Sequence, residues 1–183
     1  MAKKISLSEM EAWVKNTYLT QAYKILADKT KYVKVNFQDH YIGSPIFNIG
    51  DPIDKMVQLK QMGGCVDPLT VLTEKRFTLT FFIGNLARYF YTKYILGKKE
   101  FDPNEEYITR IVKCSRHESF HVWQDRWLFK HTSDFVKSLK LMEEYCSCTP
   151  YRERSFEIEA YKFQDNKPVR HFRDYMSQFI VSK

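Results

Sequence analysis

The sequence predicts a mostly helical α+β domain. Three observations carry that expectation. Apolar residues recur at three and four over most of the chain, two short alternating stretches sit near its start, and acid–proline pairs mark where several runs begin. Residues 7–28 lead as a helix: Leu7, Met10, Val14, Tyr18, Ala22 and Ile25 share one face, and Ser6 with Glu9 forms a capping box. Lys31–Phe37 alternates as a strand does, and Ser44–Ile49, set between Gly43 and Gly50, is a second short strand candidate.

Asp51-Pro52, Asp67-Pro68 and Asp102-Pro103 each place a capping acid before a proline suited to a first helical turn. The first run ends at Gly63-Gly64. The second carries two periods at once: Phe77, Leu79, Phe81 and Ile83 alternate, while Leu79, Ile83, Leu86 and Phe90 step by four or three. It is read as helical through to Gly97. The third run is a helix from Pro103 to about Phe129. Further helices are expected at 134–145, 151–164 and 168–180.

The chain has 183 residues, enough for one domain over 1–183, with 1–28 as its N-terminal helical part. With 44% hydrophobic and 16% aromatic residues it can fill a core, which argues against disorder. The net charge of +7 is spread along the chain with no basic run longer than two, so nucleic acid is a possible but not a favoured partner. Met1-Ala2-Lys3-Lys4 does not open a secretory signal. The most apolar region, Phe77 to Leu96, is broken by Arg88 and Lys93, so no membrane span is expected. A cytoplasmic location is the expectation, with Cys65, Cys114, Cys146 and Cys148 as reduced thiols.

The most informative residues are His117-Glu118-Ser119-Phe120-His121, which spell HExxH. Residues four apart share a helix face, so both imidazoles can hold one metal ion, and Glu118 between them stays off it. Zinc brings the pKa of a water to about 7, and a carboxylate then takes the proton. Catalytic zinc needs a third protein ligand. The metzincin extension would place Gly and His where Gln124 and Trp127 stand, so that pattern fails.

Glu157-Ile-Glu-Ala160 follows on the next main helical run. With HExxH ahead of it, the chain over roughly 103–165 resembles the gluzincin-like zincin metallopeptidases, small single-domain bacterial or phage proteins among them. His121-Val-Trp-Gln124 is similar to the His-x-x-Gln endings of several such proteins. The resemblance implies a zincin-like core, with a small sheet in the N-terminal half and an active-site helix followed by a Glu-bearing helix. It implies a zinc peptidase in which His117, His121 and Glu157 hold Zn²⁺, with Glu159 as the alternative to Glu157. Glu118 would move the proton from water to the leaving amine. The family's Asp, which binds a ligand His, is replaced here by Tyr161; the phenol or Asp125 is the candidate substitute. Tyr151, Tyr161, His131, Arg154 and His171 are the candidates for stabilising an oxyanion. The implied partner is a protein or peptide substrate, paired along Lys31–Phe37 or Ser44–Ile49 as an edge strand. The alternative is a catalytically degenerate zincin that binds or regulates another protein.

Overall fold

A computed structural model describes residues 5–38, 64–96 and 105–182. Helix α1, Leu7–Leu26, begins at the expected capping box: Ser6 Oγ accepts from the Glu9 N–H, and the Ser6 N–H donates to the Glu9 carboxylate at 2.8 Å. Its buried stripe is Met10, Val14, Tyr18, Ala22 and Leu26. A tight 3-10 turn, Ala27–Tyr32, leads into β1, Val33–Gln38. The second strand, β2, is Gly64–Asp67. The Ser44–Ile49 candidate, Asp51-Pro52 and Asp102-Pro103 lie outside the described residues.

Asp67-Pro68 opens only a short helix, α2, Thr70–Glu74. The Asp67 carboxylate accepts from the Leu69 N–H at 3.0 Å, and the Thr70 hydroxyl accepts the Thr78 N–H at 2.9 Å. That second bond draws the chain into a strand. Residues 77–82 are β3, Phe77–Phe82, not the helix that the sequence suggested; helix α3, Ile83–Leu96, starts only afterwards. Both periods were real, but they belong to successive elements. β3 runs parallel to β1, pairing Val33 with Phe77, and antiparallel to β2, pairing Gly64 with Phe81. As the central strand it buries Phe77, Leu79, Phe81 and Phe82 on both faces, which suits its aromatic and β-branched composition.

The remaining fold is helical. α4, Glu105–His131, is the long central helix of 27 residues. It packs on α1, on β2 and β3, and on the helices that follow. α5, Phe135–Cys148, is capped by Asp134. The run expected as one helix over 151–164 divides into a 3-10 turn, Tyr151–Glu153, and α6, Ser155–Gln164, with Arg154 extended between them. The expected helix over 168–180 shrinks to α7, Arg173–Met176, and a 3-10 turn, Ser177–Phe179. The chain end is tied back to α4 and α5, where the Ser133 N–H donates to the Val181 carbonyl at 2.9 Å.

The architecture is α+β, mostly helical with a small sheet. Aromatic packing joins the layers: Tyr18 stacks on Phe81 with centroids 4.4 Å apart, and Phe77 meets Phe129 edge-on. Among the described residues no helix is long and apolar enough to cross a membrane.

Candidate metal centre

His117 and His121 lie one turn apart on α4, and Glu157 reaches them from the first turn of α6. Their ligand atoms form a nearly equilateral triangle. The two Nε2 atoms are 3.1 Å apart, and Glu157 Oε2 is 3.2 Å from the first and 3.4 Å from the second. A tetrahedral zinc ion with bonds of about 2.0–2.1 Å holds neighbouring ligand atoms about 3.3 Å apart. Glu157 Oε2 is buried and makes no well-formed hydrogen bond, as suits an atom aimed at a shared ion. Among the described residues this is the one group of three such side chains placed to hold an ion, and none of the four cysteines joins it.

Without an ion the charges settle differently. Burial pushes Glu157 up, but the charge on His121 and the two adjacent imidazoles hold it well below the usual carboxylate range. Burial pushes His121 down, yet Glu157 outweighs this and holds it up to about 10. A metal therefore displaces a proton from His121 below that pH.

Glu118 sits beside the triangle without being part of it. Only 9% of it is exposed, and burial raises its pKa against the opposing pull of His117 and His121. It lies flat against the first residue of β2. A Cβ on Gly64 would stand 2.9 Å from Glu118 Cγ and 2.9 Å from the Thr80 carbonyl oxygen. Glycine is needed there for closeness. The strand beside the HExxH helix is thus β2; the Lys31–Phe37 candidate became β1, across the sheet.

Gln124 closes the His-x-x-Gln resemblance, but sequence reasoning gave it no role in the site. Its Nε2 donates to the Phe156 carbonyl at 2.9 Å, which can only accept, and to the Tyr175 hydroxyl at 3.1 Å. That fixes its amide oxygen towards His121 Nδ1, 2.7 Å away. His121 Nδ1 donates, leaving Nε2 free for a metal. The signal was its position three residues after His121, on the same helix face. Gln124→Leu is expected to weaken metal binding by about 10–100-fold. It also removes two buried hydrogen bonds, to the Phe156 carbonyl and the Tyr175 hydroxyl, at a cost of about 1–3 kcal/mol. Competition with a chromophoric chelator and a denaturant titration measure the two, and unchanged metal affinity would show that the amide does not tune the ring.

The other candidates divide. Tyr161 places its ring against His117, with centroids 4.6 Å apart, but supplies no acceptor: His117 Nδ1 is buried without a hydrogen-bond partner among the described residues. Asp125 is buried, with its pKa raised to about 7 mainly by burial, and bonds to neither imidazole. Tyr151 does belong to the site. Burial and the nearby Glu157 charge push the pKa of its phenol far up. His131 stacks on Trp127 at the exposed end of α4, with its Nδ1 2.7 Å from the Trp127 carbonyl oxygen. Arg154 donates to the carbonyls of Thr149 and Cys146, closing the end of α5. His171 accepts from the Arg173 N–H on the surface.

Glu159, the alternative ligand, faces away. Its fully buried carboxylate pairs with Lys162 at 2.8 Å and Arg170 at 2.7 Å, and accepts the Arg170 N–H. Burial pushes its pKa up, but these partners hold it below the usual range. A depressed folded-state pKa stabilises above the unfolded value of about 4.3, and the contribution fades as pH falls through the folded one. Glu159→Gln is therefore expected to cost about 1–3 kcal/mol at pH 7, moderated because both partners are half-exposed. Thermal melts across pH should show the gap to wild type closing in acid; a constant gap would contradict the pairing.

A separate cavity of about 310 Å³, lined by Lys24, Arg116, Trp123 and Phe163 among others, touches none of the three ligand residues. Comparison with protein-family models, curated proteins and solved structures gives no match.

Proposed function

We propose that this chain is a zinc-dependent peptidase with a zincin-like core. One observation supports the reading: a buried three-atom cage fit for a metal, with no fourth such ligand among the described residues, and a carboxylate, Glu118, beside it that is outside the group. Three ligands with an open position are the mark of catalytic rather than structural zinc. The bound ion supplies Lewis acidity towards a peptide carbonyl and acidifies water at neutral pH.

The chain's own groups do the rest. Glu118 accepts a proton and returns it to the leaving amine; its burial makes it a stronger base than a solvated carboxylate. Gln124 holds His121 in the tautomer that presents Nε2. Tyr151, at the rim beside Glu157, offers a phenol donor towards an oxyanion. β2 pairs only with β3 among the described residues, so its other edge can receive an extended substrate strand above Glu118. A protein or peptide is the substrate this arrangement suits.

The test is elemental analysis of the purified chain, followed by cleavage of a peptide library with and without chelator. Stoichiometric zinc and chelator-sensitive cleavage are expected; wild-type protein without bound metal would end the proposal. One observation favours a second reading, a zincin-like binding protein without turnover. Among the described residues His117 Nδ1 has no acceptor of the kind that ligand histidines ordinarily have, and Tyr161 lies against its ring. Metal-loaded protein that binds a partner and cuts nothing would support it.

A further inference from the structure

The rim of the cage has a character that the ligands do not explain. Tyr161 and Tyr151 stand perpendicular, with ring centroids 6.4 Å apart and planes at 86°. Both stay open to solvent, 42% and 38% exposed. The ring of Tyr151 forms one wall of this rim. Its position is set: Arg154 lies 5.4 Å over the ring, and Arg154 is held by the Thr149 and Cys146 carbonyls. Tyr161 is braced from beneath by the His117 ring. The two rings make an aromatic corner at the metal site, rigid on its inner side and uncovered on its outer side.

A corner of that kind has a preferred guest. A third ring can lie against one tyrosine and meet the other edge-on, satisfying both quadrupoles, whereas a small side chain leaves both rings wet. We infer that the Tyr151–Tyr161 corner makes this site select peptides with an aromatic side chain at the residue next to the bond to be cut. The inference rests on the peptidase reading and adds the substrate class, with Tyr161 as the residue that determines it.

Amino-acid hydroxamates test it, because they chelate a site metal and carry one side chain each. Calorimetry on the full zinc-loaded chain would compare the hydroxamates of glycine, leucine and phenylalanine. Phenylalanine hydroxamate should bind roughly tenfold more tightly than the glycine compound, and more tightly than the leucine compound. Tyr161→Ala should bring the ratio close to one with metal content unchanged; Tyr161→Phe should preserve it. Equal binding of all three probes, or a ratio that survives Tyr161→Ala, would overturn the inference while leaving the peptidase proposal standing. A wild-type chain that holds no metal would overturn both.

Discussion

Glu118→Gln is expected to remove a factor of about 10²–10⁴ from peptide hydrolysis while leaving the metal in place. The two halves of that expectation come from different parts of the geometry. The metal is retained because Glu118 is outside the triangle formed by His117, His121 and Glu157. The rate falls because an amide cannot accept the proton. The volume is conserved, so the fit against Gly64 survives, and a buried group whose charge was penalised becomes neutral. The variant should therefore melt no lower than wild type. Single-turnover cleavage beside metal stoichiometry decides the matter. Full activity would remove Glu118 from the chemistry, and loss of metal would mean that it had been a ligand.

The second large effect is expected at the ligands. His117→Ala or Glu157→Gln should abolish stoichiometric metal, an effect beyond the 10–100-fold (about 1.4–2.7 kcal/mol) that loss of an outer hydrogen-bond partner costs. Metal then stabilises wild type but neither variant, because only binding to the folded state raises the melting temperature. Glu157→Gln has a separate consequence in metal-free protein. There His121 is held up to about 10 by Glu157. A raised histidine contributes fully below its unfolded value of about 6.5 and loses that contribution as pH rises through about 10. The depressed carboxylate of Glu157 contributes above about 4.3 and is lost towards acid. The stability gap between metal-free wild type and Glu157→Gln should thus be widest between about pH 5 and 6.5 and close on both sides. A gap that is flat across pH would show that the pair is not ionised as the geometry implies.

Much of the site was legible because HExxH needs nothing but helical spacing. The choice between Glu157 and Glu159 was not. Two residues apart on a helix is about 200° around the axis, so only one of them can face the histidines. Both have apolar neighbours in sequence, and the deciding facts are distant: Arg170 claims one, the imidazoles of α4 the other. β3 was misread for a related reason. Its alternation runs straight into the helical period of α3 at Ile83, with no glycine or proline before the change. Only pairing with strands on both sides shows where one ends. Gln124 went unassigned because its role depends on the Phe156 carbonyl and the Tyr175 hydroxyl, which the fold brings from far along the chain.

Gly64 ties Glu118 to the sheet. Because β2 touches Glu118 through a residue with no side chain, the alignment of that strand and the posture of the carboxylate are a single variable. Slipping β2 by one position would bring a different residue over Glu118 and turn every β2 side chain to the opposite face. The placement of Glu118 beside the histidines therefore depends on a short strand far upstream in the chain as firmly as on the helix that carries them.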